Sequence, residues 1–170
     1  MAFIETLKYK VIQDDGHLQI RSYDNILLAS TKTKQNGRQD SGFNNVFQYI
    51  SGNNQSKTKI SMTTPVVTYE DEGNLVTGFY VPSKYDKDSV PQPLANNVFI
   101  NEIGSSLFAV IKFKGAWNEK NYEKHNQKLF EYIKLNKLTI ISKRFILRYS
   151  PPFVPAIFRK NEIAYQITRD

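Results

Sequence analysis

Apolar and polar residues alternate through the first third of the chain and then shift to a helical spacing. Leu18 and Ile20 are interleaved with Gln19 and Arg21. With Tyr9 to Gln13 before them and Asp14-Asp15-Gly16 as a turn, they predict a β-hairpin. Ile26 to Lys34 predicts a long strand, whose outer half Thr31-Lys32-Thr33-Lys34 has the alternation of a strand with one face in water. From Asp40 the period lengthens, and Phe43, Val46, Phe47 and Ile50 fall at i, i+3, i+4 and i+7. A short amphipathic helix follows, capped by Asp40 or Ser41 and ended by Gly52. Lys59 to Tyr69 and Leu75 to Val81 read as extended, and Pro82 to Asn97 as a Pro-containing connection.

The second half runs through the same order. Val98 to Ile103 and Phe108 to Lys114 read as strands around Gly104-Ser105. Asn118 to Lys137 carries Tyr122, His125, Leu129, Tyr132, Ile133 and Asn136 at helical spacing, and Phe145, Leu147, Tyr149, then Ile163, Tyr165, Ile167 alternate as strands. Strands, helix and strands therefore occur twice. This predicts an α+β fold of two pseudo-repeated halves, a curved sheet or distorted β-barrel flanked by two main helices, with residues 1–170 as one domain.

Composition narrows the chemistry. The 170 residues contain no cysteine, which removes disulfides, thiolate metal sites, cysteine nucleophiles and thiolate ligation of haem iron. The absence of a long apolar run or a signal-like N-terminus leads us to expect a cytoplasmic protein with no membrane span. The net charge of +7 is skewed: residues 111–170 hold thirteen Lys/Arg against five Asp/Glu, and residues 1–110 hold ten against eleven. Such a skew suits nucleic acid, an acidic surface or an anionic small molecule, and equally a plain solvated face. The ten tyrosines and eleven phenylalanines mostly occupy apolar phases of strands and helices. They are needed for the core, so nucleic-acid binding is not expected.

Three stretches have a more specific signature. They are Gly42-Phe43 through Tyr49-Ile50-Ser51-Gly52-Asn53; Lys59-Ile60-Ser61-Met62-Thr63-Thr64-Pro65-Val66; and Tyr149-Ser150-Pro151-Pro152-Phe153-Val154-Pro155 with Arg159-Lys160-Asn161-Glu162. In order and separation they closely resemble the SOUL haem-binding family. The resemblance implies a twisted barrel of two pseudo-symmetric halves related to effector-binding domains of bacterial regulators. It also implies a non-covalent haem or other tetrapyrrole in a shallow apolar groove beside the first helix, for carriage or buffering. Phe43, Val46, Phe47, Ile50 and Phe153 are the ligand-contacting candidates, and no enzyme activity is implied.

The residues themselves allow plainer readings. The aromatic stripe of the first helix also suits ordinary core packing, Met62 suits a core gap-filler, and Pro151, Pro152 and Pro155 suit a shaped reversal. Arg159 and Glu162 read as a pair bracing the last strand. Some family members carry basic residues where this chain has Asp40, Gln48 and Val154, so propionates lose charge-assisted partners here. Arg38, Lys57 and Lys59 are the available substitutes. His17 reads as a solvated residue at a strand start, and His125 as a partly buried, hydrogen-bonded histidine rather than an iron ligand. Ser61 and Ser106 have no histidine suggested by spacing, and Glu70, Asp71 and Glu72 read as a turn. The same fold serving another hydrophobic small molecule or a protein partner is the alternative.

Overall fold

A computed structural model describes residues 4–34, 40–94 and 96–169, with the side chains of residues 40–42 outside the description. In chain order the elements are β1 (Glu5–Thr6), β2 (Lys10–Asp15), β3 (Leu18–Tyr23), β4 (Ile26–Lys34), α1 (Asp40–Ile50), β5 (Thr63–Thr64), β6 (Val66–Asp71) and β7 (Asn74–Tyr80). They continue with β8 (Phe99–Ile103), β9 (Ser106–Lys114), α2 (Glu119–Leu135), β10 (Thr139–Ile140), β11 (Phe145–Arg148) and β12 (Lys160–Thr168). The chain divides into two compact units, one of Met1–Leu7 and Asn25–Gly104, the other of Lys8–Asp24 and Ser105–Asp170.

In the first unit the sheet runs β6-β7-β4-β8, all antiparallel. The chain leaves the nine-residue β4, forms α1, and returns as the β6–β7 hairpin, whose second strand pairs with β4 from Leu28↔Tyr80 to Lys34↔Asn74. One face of this sheet meets α1 around Ala29, Val46, Tyr49, Ile50, Ile60, Phe79, Val81, Val90 and Val98, all buried. A parallel pairing of β1 with β5 adds a short ribbon. Glu5 in that ribbon accepts from the Tyr80 hydroxyl at 2.9 Å.

The second unit repeats this path. From the nine-residue β9 the chain forms α2 and returns as β11 and β12, with β12 paired to β9 from Lys160↔Lys114 to Ile167↔Leu107. Its sheet runs β2-β3-β9-β12-β11, and β10 also pairs with β12. Ile20, Ala109, Ile111, Leu129, Ile133, Ile163 and Ile167 are buried between sheet and helix. The Asn118 side chain caps α2 by accepting from the Asn121 N–H at 2.8 Å, relieving a donor that the helix start leaves without a partner.

Three expectations change. The N-terminal hairpin belongs with the second unit, because β3 pairs with β9 from Leu18↔Ile111 to Tyr23↔Ser106. Its turn is Gly16-His17, with β2 continuing through Asp14 and Asp15. Gly16 has a φ of 81°, which is open to glycine without steric cost and closes the strands within two residues. The sheet of each unit is open, so "barrel" describes it only loosely.

Candidate ligand-binding face

Helix α1 stops where its pattern predicts. Gly52 adopts a φ of 115°, its N–H reaches the Tyr49 carbonyl, and the Asn53 N–H reaches the Gln48 carbonyl at 3.1 Å, the paired closure of a Schellman motif. Asn54, almost fully buried, ties the following loop back by donating to the Tyr49 and Thr58 carbonyls. The Tyr49 hydroxyl donates to the Pro91 carbonyl, and burial pushes this phenol up to about 12. The helix is therefore held on its sheet by one aromatic anchor and a closed C-terminus. The capping expected from Asp40 or Ser41 lies outside the described side chains.

The four apolar α1 candidates occupy one stripe but meet different surroundings. Val46 and Ile50 are buried in the core of the first unit. Phe43 is half-buried at the margin and meets Phe79 edge-on, with ring centroids 5.5 Å apart. Phe47 is 45% exposed. Its ring stacks on Phe43 at 6.1 Å with 14° between planes, since residues four apart on a helix overlie one another. The helix thus shows an aromatic pair outward while two aliphatic side chains fix it from beneath. Lys57 and Lys59, in the loop after α1, are exposed, and Arg38 lies outside the described residues. Met62 is half-buried against the same core.

Phe153, the fifth candidate, lies in the second unit between β11 and β12 and is 85% exposed. His17 is exposed at the hairpin turn. His125 stacks on Phe113 at 4.1 Å, with its Nδ1 2.8 Å from the Asn121 carbonyl. That carbonyl can only accept, so Nδ1 carries the proton. Burial depresses the imidazole below its ordinary range, only partly opposed by the bond to Asn121. Ser106 accepts from the Gln166 amide at 2.9 Å.

The pairing of Arg159 with Glu162 is replaced by two separate arrangements. Residues three apart on a strand face opposite sides, and Glu162 turns inward to Arg21. That guanidinium is fully buried and donates to both carboxylate oxygens, at 2.8 and 2.7 Å. It also donates to Gln19 and to the Tyr23 hydroxyl, both at 2.9 Å, and lies 3.8 Å from the Tyr9 ring centre. The Tyr149 hydroxyl donates to Glu162 at 2.8 Å. Burial works against the Arg21 charge, but the bonds and charge of Glu162 outweigh it and hold the proton more firmly. Burial, reinforced by the Glu162 charge, pushes the Tyr149 phenol far up. Charge and donors are matched within this cluster, which lies on the sheet face opposite Ile20, Ile163 and the α2 core. In the sequence Arg21 falls in the polar phase of its strand with Gln19, and nothing there marks it as buried.

Arg159, by contrast, donates to the Val154 and Pro152 carbonyls, both at 2.9 Å, and lies over the Trp117 ring at 4.2 Å.

Two units of matched topology, each a helix on an antiparallel sheet, define the class of protein: an α+β fold built by repeating one path. The SOUL heme-binding protein family model matches residues 4–166, and the chain belongs to that family. It is 30% identical over 135 residues to human heme-binding protein 2, covering 71% of this chain and 65% of that protein. The chain thus spans less than two thirds of the length of that relative. Among solved structures it resembles the EcmrR C-terminal domain, with a TM-score of 0.68, 10% identity, and coverage of 90% of this chain and 98% of that one. It also resembles a Listeria innocua protein described as a hydrolase, with a TM-score of 0.66, 8% identity, and coverage of 89% and 91%. At those identities the likeness concerns fold alone. Among the described residues no helix is long and apolar enough to cross a membrane.

Proposed function

We propose that this chain binds haem or another tetrapyrrole non-covalently on the outward face of α1, as a cytoplasmic carrier or buffer in which residues 1–170 work as one domain. The observation that supports this reading is the stacked Phe43–Phe47 pair, exposed at Phe47 and backed by buried Val46 and Ile50. A flat ring laid on Phe47 removes apolar surface from water at both partners, and since Phe47 is 45% exposed its own share is about half of the roughly 1.5–3 kcal/mol for fully burying such a side chain. Membership of a heme-binding family and the human relative's name support the same ligand class.

The residues present fit the ring better than its polar groups. Lys57 and Lys59 are the described cations in the loop after α1, whereas Gln48 on the helix brings no charge. Both histidines of the chain, His17 and His125, belong to the second unit. The α1 face therefore works through ring burial rather than through an imidazole of its own unit. Moderate affinity and broad selectivity follow, and the role is binding rather than catalysis.

Haemin titration followed at the Soret band tests this. Phe47→Asp is expected to weaken binding about ten- to a hundredfold, and His125→Ala to leave it unchanged. Phe153→Ser in the same series reads the contribution of the residue in the other unit. Undiminished binding by Phe47→Asp rejects the α1 face. If the wild-type chain takes up haemin no better than an unrelated protein of similar charge, the fold serves another hydrophobic molecule or a protein partner.

A further inference from the structure

The connection between β11 and β12 exposes three large apolar side chains close together in sequence: Phe153 at 85%, Ile157 at 71% and Phe158 at 58%. Residues 150–158 read Ser-Pro-Pro-Phe-Val-Pro-Ala-Ile-Phe. They contain no charge, and their one polar side chain, Ser150, is occupied in accepting from the Lys160 N–H at 2.9 Å. Three prolines restrict the backbone. The Val154 N–H bonds to the Pro151 carbonyl, the Phe158 N–H to the Pro155 carbonyl, and Arg159 draws in the carbonyls of Pro152 and Val154. An apolar projection with this much of its backbone polarity internally paired can enter a weakly polar medium at reduced cost.

The base of the projection has one sign of charge. Arg148 ends β11, Arg159 and Lys160 precede and open β12, and Lys114 ends β9. Lys160 stands directly opposite Lys114 in the ladder, and both are exposed. Like charges in that position repel and cost stability unless something anionic lies against them. Residues 105–118 and 145–161 contain no Asp or Glu, and Glu162, next along, is buried against Arg21. Across the whole second unit sixteen Lys/Arg face eight Asp/Glu, whereas the first unit holds seven against eight.

We propose that the β11–β12 loop docks the chain on an anionic lipid surface. Phe153, Ile157 and Phe158 enter the interfacial layer while Lys114 and Lys160 meet the head groups. Apolar insertion joined to basic contact is the combination that holds a peripheral protein at a bilayer without a spanning helix.

Flotation with vesicles of phosphatidylcholine alone, and of phosphatidylcholine mixed with phosphatidylserine, tests the proposal on the full chain without haemin. The chain is expected to float with the mixed vesicles, not with the neutral ones, and to be released by salt. Ile157→Ser/Phe158→Ser is expected to weaken binding more than about tenfold, and Lys114→Ser/Lys160→Ser about twenty-fivefold, since each cation near such a surface contributes about fivefold. These are exposed positions, so unfolding midpoints close to wild type accompany both losses. Equal flotation with neutral vesicles, full binding by either double variant, or no flotation at all overturns the proposal. If there is no flotation and Ile157→Ser/Phe158→Ser reduces self-association in sedimentation, the loop meets a second copy instead. The double variants keep Phe153, and haemin is titrated without vesicles, so this proposal and the haem reading fail separately.

Discussion

The two units follow one path and both pack an apolar core between sheet and helix, but the second also buries a charged pair on the other face of its sheet. In each, a nine-residue strand leads into a helix, and a returning strand pairs with the one that began it. The first unit closes over Val46, Ile50, Ile60, Phe79 and Val81, with Tyr49 as its polar anchor. The second closes over Ile20, Ala109, Ile111, Leu129 and Ile163 in the same way, and on the opposite sheet face it buries Arg21 with Glu162 beside Tyr9, Tyr23 and Tyr149. The same topology thus accommodates an added ion pair, because its charge and its donors are matched locally. The flanking strand also differs in origin: β8 follows its hairpin in the first unit, whereas β3 precedes the whole repeat in the second.

The comparison is broken most severely at Arg21. Arg21→Met leaves the Glu162 carboxylate buried without its guanidinium, and removing one partner of such a pair costs about 3–5 kcal/mol. Urea unfolding should show that loss. Arg21→Met/Glu162→Met should recover part of it, because no unpaired charge remains although Gln19, Tyr23 and Tyr149 lose their partners. If the single variant loses less than about 1 kcal/mol, below the usual cost of an unsatisfied buried group, the pair is not the buried, mutually dependent contact described above.

In the first unit the corresponding break is a cavity. Ile50→Ala removes most of a side chain that is buried beneath α1, at a cost of about 2–4 kcal/mol set by how far the site collapses. The same denaturant series measures it. A cost near zero would mean that Ile50 is not the fixed support under Phe47 that the haem reading assumes, and haemin affinity should then also be insensitive to the change.

Much of this architecture is legible in the chain, because it is carried by local period. Ile26–Lys34 has the predicted bounds, and α1 ends at Gly52 as read. Long-range partners are less legible. Nothing near Arg21 points to a glutamate 141 residues away, and nothing in the hairpin shows that it belongs with β9. At the candidate site, periodicity correctly groups Phe43, Val46, Phe47 and Ile50 on one stripe. It cannot show that the sheet covers Val46 and leaves Phe47 half open, because burial depends on the facing surface. Phe153 resembles a core residue by composition, yet it stands exposed in a loop with prolines on either side.

The smallest expected effect falls on α2, where the second unit holds a titrating group that the first lacks. His125 is pressed between Phe113 and its own helix, and burial lowers its proton affinity below the ordinary value of 6.5. Lys124 and Lys128 push in the same direction, and the bond to the Asn121 carbonyl opposes them. Well above pH 6.5 the imidazole is neutral in folded and unfolded chains alike and contributes no pH dependence. As pH falls through that value the unfolded chain takes up the proton first, so folding stability declines, and the decline levels off once the folded imidazole is protonated too. Partial exposure screens the effect and keeps it small. Unfolding free energies from about pH 7 to about 5.5, above the range where most carboxylates titrate, should therefore slope downward in the wild type and less in His125→Phe. Identical slopes would show that the stacked imidazole is as freely solvated in the folded chain as in the unfolded one, and the contrast between a titrating and a non-titrating unit would be lost.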